Sequence, residues 1–201
     1  MPVWYVKENV IDRYSGSINQ DFLEQLQTLA QYDTGQLITT TKHENNYVLG
    51  TNHAYSLLLT IKSKLQSLGE SVDLFGAEQS PGNLKSILEG LNQSINDQEL
   101  YPTFEDKIAH LFYFVIKDHP FVDGNKRAAV SLYFDYFQNN LLMTATKEGF
   151  SLGDNSFFSV DILSLALLTA QSNPEDKQTI VDLIIQLTQR EFDRCLKNNK
   201  N

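Results

Sequence analysis

Apolar residues recur at helical spacing along most of this chain, whereas few stretches alternate between apolar and polar residues as strands do. This periodicity predicts a series of helices, over residues 22–30, 55–65, 84–91, 108–116, 128–137, 160–170 and 179–187. The segment 108–116 is apolar nearly all round, which is typical of a helix buried at the centre of a domain. Thr103 precedes it as a candidate N-cap, and Glu105 and Asp106 follow where the helix dipole favours acidic residues. The pattern predicts a mainly α-helical protein.

Composition and charge narrow the functional classes. The chain has 201 residues and a formal charge of −9. This charge would repel the phosphates of nucleic acid, so we expect no nucleic-acid partner. Cys195 is the single cysteine, which excludes an internal disulfide framework. Because no apolar run reaches the length of a membrane span and no secretory signal is evident, we expect a cytoplasmic protein without a membrane partner.

Reactive and charged side chains concentrate in one short run, HPFVDGNKR, which begins at His119 between two predicted helices. The first N–H groups of the second helix have no partner within it and carry the positive end of its dipole, so they favour anions. Gly124 lets a phosphate approach the backbone, and Lys126 and Arg127 add positive charge. Asp123 can hold a magnesium ion, which prefers one or two carboxylates together with phosphate oxygens. A histidine titrates near neutral pH, so His119 can act as a general base. The run predicts a nucleotide-phosphate site.

This run resembles the signature of the Fic/Doc (Fido) family, which reads His-x-Phe-x-Asp/Glu-Gly/Ala-Asn-Gly/Lys-Arg. The residues that fill its fixed positions are His119, Phe121, Asp123, Gly124, Asn125, Lys126 and Arg127. The likeness extends from about Leu74 to Leu187. It implies a Fic-fold helical bundle with the signature between its two central helices, a short flap hairpin and, in this chain, an N-terminal extension.

The resemblance also implies a role for each signature residue. His119 would deprotonate a hydroxyl of a target protein, Asp123 would be the magnesium ligand, and Arg127 would bind phosphate. Phe121 would be a structural anchor. The nucleotide-binding positions would be Gly124, Asn125, Lys126 and Arg127, with ATP or another nucleoside triphosphate as donor. The remaining histidines, His43, His53 and His110, are expected to be structural.

Family members also carry a flap, an extended segment to which the target peptide adds as a strand. By its position before the central helix, the segment 92–104 is expected to hold this flap. Leu100 and Tyr101 have the most extended character there, so they are the expected docking residues.

Two positions depart from the branch of the family that transfers AMP. Lys126 stands where that branch usually has glycine, and Val130 stands where it has a second arginine. The Gly-Asn-Lys-Arg version resembles the death-on-curing (Doc) branch, which implies a reversed nucleotide, transfer of its terminal phosphate, and a toxin held by an antitoxin chain. The motif thus favours phosphoryl transfer. AMP transfer to protein is the alternative, and a catalytically weak Fido-fold protein that binds a nucleotide or a partner is the second alternative.

The expected organisation has three parts. Residues 1–70 would form an N-terminal extension of unknown role that packs on the core. Residues 71–190 would form the Fido domain, and residues 191–201 a polar tail.

Overall fold

The structure, a computed structural model, describes residues 20–37, 43–152 and 162–200. The chain divides into two compact units, residues 1–38 and residues 39–201. In the first unit the helix α1 spans Gln20–Asp33. The second unit holds the remaining elements, in the order α2 (Thr51–Ser67), α3 (Asn83–Gly90), β1 (Ser94–Ile95), β2 (Gln98–Glu99), α4 (Phe104–Lys117), α5 (Asn125–Glu148), α6 (Ile162–Gln171), a 3₁₀ turn (Pro174–Asp176) and α7 (Lys177–Lys200). The predicted mainly helical fold is confirmed.

Helix α4 is the centre of the second unit and packs against α5 and α7. Its start follows from a capping box, in which the Thr103 hydroxyl accepts from the Asp106 N–H at 3.2 Å and the Asp106 carboxylate accepts from the Thr103 N–H at 3.3 Å. This confirms the cap predicted at Thr103. The apolar side chains of α4 are almost all buried, as predicted from its sequence; Phe104, Ile108 and Phe112 are fully so.

The short hairpin that the resemblance implied is present before α4. Strands β1 and β2 pair antiparallel, with Ile95 opposite Gln98. The two turn residues, Asn96 and Asp97, have φ values of 51° and 60°, the left-handed conformation that a two-residue hairpin turn requires. The buried ammonium of Lys107 ties the hairpin to α4, since it donates to a Glu99 carboxylate oxygen at 2.8 Å.

Helix α7 continues beyond the apolar repeat that predicted it, across the stretch expected to be a polar tail. Phe192, Cys195 and Leu196 are buried in this last part of the helix, which explains why it stays folded onto the core despite its polar composition. Across the described ranges, every helix is too short or too polar to span a lipid bilayer.

Candidate active site

The signature run forms the turn between the two helices at the centre of the unit, α4 and α5. Helix α4 ends at Lys117, and α5 begins at Asn125 with Gly124 as its N-cap residue. Their packing against each other fixes both ends of the turn. The turn therefore places its side chains at the N-terminus of a long helix, where an anion is favoured.

A second segment, residues 75–79, runs along the signature turn and holds it; we call this segment the strap. The Gly76 N–H donates to the Asp123 carbonyl at 3.3 Å, and the Val122 N–H donates to the Ala77 carbonyl at 2.8 Å. The Gln79 N–H donates to the Pro120 carbonyl at 2.9 Å. No sequence pattern indicated this pairing, because the residues of the strap do not alternate as a strand does and lead into a Ser-Pro-Gly sequence typical of a loop.

Glu78 ties the strap to two helices. Its carboxylate accepts from the N–H groups of Gly82 and Leu84 at the start of α3, at 2.8 and 2.7 Å, and from the Tyr55 hydroxyl of α2 at 2.9 Å. Burial opposes the ionisation of Glu78, but these three hydrogen bonds outweigh it and lower the pKa of the carboxyl. For Tyr55, burial together with the hydrogen bond to Glu78 raises the pKa to about 12.

Glycine is required at position 124 both by the conformation of the backbone and by the side chain that lies next to it. Its φ is +84°, in the left-handed region that favours glycine. A Cβ at this position would lie 2.3 Å from Cδ2 of Phe75, a buried strap residue. The close approach of the turn to the strap therefore depends on the absence of a side chain at Gly124.

Asn125 fixes the turn with its side chain. Its Oδ1 accepts from the Phe121 N–H at 2.9 Å, and its Nδ2 donates to the Phe121 carbonyl at 2.8 Å. The Phe121 side chain is fully buried, so the middle of the turn is held from both the backbone and the core. The sequence indicated Asn125 only as a nucleotide-binding position, because which backbone groups its side-chain amide would meet depends on the shape of the turn.

Arg127 lies on the first turn of α5 with three partners. Its Nη2 donates to the Asp123 carboxylate at 3.0 Å, and its Nη1 donates at 3.3 Å to Glu70, which follows α2. The guanidinium carbon lies 5.1 Å from the centroid of the Phe75 ring. The side chain is 41% exposed, so a solvent-borne anion can reach it. Glu70 is a neighbour that the sequence did not indicate.

His119 lies at the surface, two residues beyond the end of α4. Its φ is +50°, which is uncommon for a residue other than glycine. Backbone in such a conformation is often held at functional sites by the structure around it. The neighbouring carboxyl of Asp118 has a pKa above its ordinary value because its partial desolvation outweighs the opposing charges of Lys177 and His119.

The residues present suit magnesium held jointly with a phosphate. Asp123 offers a half-exposed carboxylate at the turn. Within the described part of the chain, no group of three or more His, Cys, Asp or Glu side chains is placed to hold a metal by itself. Mg²⁺ commonly uses one carboxylate, waters and the oxygens of a bound phosphate, which matches this donor set.

An apolar pocket of about 410 Å³ adjoins the cationic side chains of the turn. Its walls come from α2, α5 and α6; the apolar residues that line it are Ile61, Leu65, Val130, Leu163, Ala166 and Leu167. Lys126 and Arg127 border it. The pocket thus places a water-poor surface next to the two cationic side chains of the turn.

Leu100 and Tyr101 lie between β2 and the start of α4. The Leu100 N–H bonds to the Gln93 carbonyl at 3.0 Å, and the Tyr101 ring packs 4.1 Å from the His110 ring on α4. The backbone that pairs with the signature turn belongs to the strap. A docking role for Leu100 and Tyr101 stays a prediction.

Comparison with known families agrees with this geometry. Residues 52–136 match the model of the Fic/DOC family, a range that includes nearly all of α2, the strap, α4 and the whole signature turn. The match begins within the segment expected to be an extension. Neither curated proteins nor solved structures gave a match. Residues 52–136 are thus similar to the Fic/DOC family, whose members are protein-modifying transferases.

Proposed function

We propose that this protein uses a nucleoside triphosphate, with ATP as the first choice, and Mg²⁺ to phosphorylate a serine, threonine or tyrosine hydroxyl of another protein. The observation that carries the proposal is the pair formed by Arg127 and Asp123, 3.0 Å apart at the N-terminus of α5, with His119 on the same turn. A phosphate-binding cation, a metal ligand and a proton acceptor are the groups that phosphoryl transfer needs, because its catalysis consists mainly of positioning and charge neutralisation.

Three side chains of the turn and the backbone N–H groups at the start of α5 have distinct roles in this reaction. The first N–H groups of α5 and the Arg127 guanidinium bind phosphate oxygens. Asp123 would hold Mg²⁺, which neutralises phosphate charge when bound. His119 takes the proton of the target hydroxyl as the hydroxyl oxygen forms a bond to the terminal phosphorus of the donor. The bond from that phosphorus to the bridging oxygen breaks, and the nucleoside diphosphate leaves with that oxygen.

The pocket beside the turn supports terminal phosphate transfer over AMP transfer. A donor bound for AMP transfer needs a cation for its outer phosphates, and Val130 stands where that branch of the family has a second arginine. Phosphate oxygens would lose hydration in the apolar pocket without gaining partners, whereas the base and sugar would bury apolar area there. A donor bound in this way would have its terminal phosphate at the turn.

AMP transfer is the alternative for the same site. Lys126 is exposed on the first turn of α5 and borders the pocket. Among the residues that line the pocket, Lys126 and Arg127 are the two with a cationic side chain. A lysine that reached the outer phosphates would permit the other orientation of the donor.

The proposal extends to the partners. The target peptide would dock along the segment that contains Leu100 and Tyr101, through main-chain hydrogen bonds. The likeness to the Doc branch further suggests a toxin whose activity a separate antitoxin chain restrains.

A paired labelling assay tests the function. Lysate with Mg²⁺ receives ATP labelled at the α-phosphate or at the γ-phosphate, and the wild type is run beside His119→Ala. We expect protein-bound label from the γ position alone, and none with His119→Ala, which stays folded because the side chain lies at the surface. His53→Ala is the matched control, since His53 is a half-exposed histidine that pairs with Asp135, away from the turn.

The other outcomes of this assay are distinct. Label from the α position alone would establish AMP transfer and overrule the interpretation of Val130 and the pocket. Equal label from wild type and His119→Ala would contradict the role of His119 as base. Absence of label from both positions would contradict ATP as the donor and point to another nucleotide or to a binding protein.

A further inference from the structure

Phe75 contacts two parts of the candidate site at once. Its ring leaves no room for a side chain at position 124, because a Cβ added to Gly124 would lie 2.3 Å from the ring atom Cδ2. The same ring lies under the guanidinium of Arg127, at 5.1 Å from the centroid. Phe75 is 2% exposed, so its position is fixed by the core.

The other two partners of Arg127 hold it weakly or are needed elsewhere. Asp123 and Glu70 are each about half exposed, at 50% and 51%, and ion pairs between exposed groups contribute about 0–1 kcal/mol. Asp123 is also the proposed metal ligand, so binding of Mg²⁺ would draw its carboxylate away from the arginine.

An aromatic face holds a guanidinium without using its hydrogen-bond donors. The ring attracts the guanidinium through the charge of the cation and the ring quadrupole, so the contact consumes none of the N–H groups that a phosphate would bind. The Phe75 ring can therefore keep Arg127 in place while the N–H groups that now bond to Asp123 and Glu70 turn to an incoming anion.

We propose that Phe75 is a positioning residue, which presets the guanidinium of Arg127 for a phosphate group bound at the turn. The proposal rests on the proposed function, because it takes Arg127 as the phosphate-binding residue. It adds that the strap shapes the anion site directly through one buried aromatic ring, besides pairing with the backbone of the turn.

The test measures binding of Mg²⁺-ATP by calorimetry to the full chain. Phe75→Leu keeps an apolar side chain at the buried position and removes the aromatic face. We expect the Kd to rise about fivefold, the scale of a cation–π contact of about 1 kcal/mol. Phe104→Leu is the matched control, because Phe104 is fully buried in contact with Phe137 and Phe192 and away from the turn. It should lower Tm without changing the Kd.

A double-mutant cycle separates positioning from general loosening of the fold. If the ring acts through Arg127, Phe75→Leu has no further effect on the Kd in an Arg127→Ala background. An equal effect in both backgrounds, or an unchanged Kd in Phe75→Leu, would overturn the proposal. Should Phe75→Leu fail to fold, Phe75→Met fills more of the same space and replaces it in the cycle.

Failure of the proposed function would look different. If the wild type binds no Mg²⁺-ATP, the donor is wrong, and the role of Phe75 is decided on the free protein by NMR. The order parameter of the Arg127 Nε–H should then fall in Phe75→Leu and stay unchanged in Phe104→Leu. Equal order parameters in wild type and Phe75→Leu would overturn the positioning role independently of any nucleotide.

Discussion

At the scale of single residues, the site depends on backbone geometry as much as on reactive groups. Gly124 illustrates this dependence, because it combines a left-handed φ with contact to a buried ring. Gly149, at the C-terminal end of α5, has a similar φ of +81° but no atom within 4 Å of an added Cβ. Substituting these two glycines by alanine therefore separates the free-energy cost of the left-handed backbone from the cost of a steric clash with Phe75.

We predict that Gly124→Ala lowers the free energy of unfolding by about 3 kcal/mol, whereas Gly149→Ala lowers it by about 1 kcal/mol. The shared part is the left-handed conformation, about 1 kcal/mol, and the additional part is overpacking against Phe75, about 1–3 kcal/mol. Urea unfolding of the two variants beside the wild type measures both values. Equal losses would mean that the strap moves away from the turn without cost.

At the scale of elements, the helices could be predicted from the sequence, whereas the strap could not. The burial of α4 could be predicted from an apolar run, because a helix that is apolar all round has to be covered on every side. The strap has no periodicity, and its pairing with the turn depends on how α2 and α3 lie against the central helices. Of the site, the signature residues were evident from the sequence, whereas Phe75, Glu78 and Glu70 were not, because each meets the turn only through the tertiary fold.

Glu78 gives the prediction that belongs to this scale. Glu78→Ala leaves the N–H groups of Gly82 and Leu84 without their acceptor and releases the strap from α3, so we expect a loss of about 1–3 kcal/mol in the free energy of unfolding. Binding of Mg²⁺-ATP should weaken as well, because the strap carries Phe75. Glu89→Ala removes an exposed carboxylate that pairs with Lys85 and should change neither quantity. A loss of stability without weaker binding would show that the turn holds its shape without the strap.

At the scale of the whole molecule, one partly buried charge cluster joins three distant parts of the second unit. The carboxylate of Glu105 on α4, which has no exposed surface, accepts from the His43 N–H at 2.9 Å and lies 2.5 Å from the ring Nδ1. The ring Nε2 lies 3.2 Å from the Asp193 carboxylate on α7. Burial disfavours the protonated ring, but the hydrogen bond and charge of Glu105 and the charge of Asp193 outweigh it, so the pKa of His43 is raised above 6.5.

The raised pKa of His43 sets the direction in which stability changes with pH. A group whose pKa is higher in the folded state than in the unfolded state binds protons more readily when folded, so its full contribution is present below the unfolded pKa. The contribution is lost as the pH rises through the folded pKa. A tenfold difference in proton affinity between the two states corresponds to about 1.4 kcal/mol of stability.

We therefore predict that the wild type exceeds His43→Asn in the free energy of unfolding by more at about pH 5.5 than at about pH 8.5. Urea unfolding at several pH values measures the two curves. Lys147→Met, which removes the exposed ion pair with the adjacent Glu44, leaves His43 in place and serves as the control for local disturbance. Parallel curves for wild type and His43→Asn would contradict a proton held between Glu105 and Asp193. If the difference in unfolding free energy shrinks as the pH rises, protonation of His43 stabilises the contact of α4 with α7. The signature turn follows directly from the end of α4, so this protonation also supports the helix from which the turn begins.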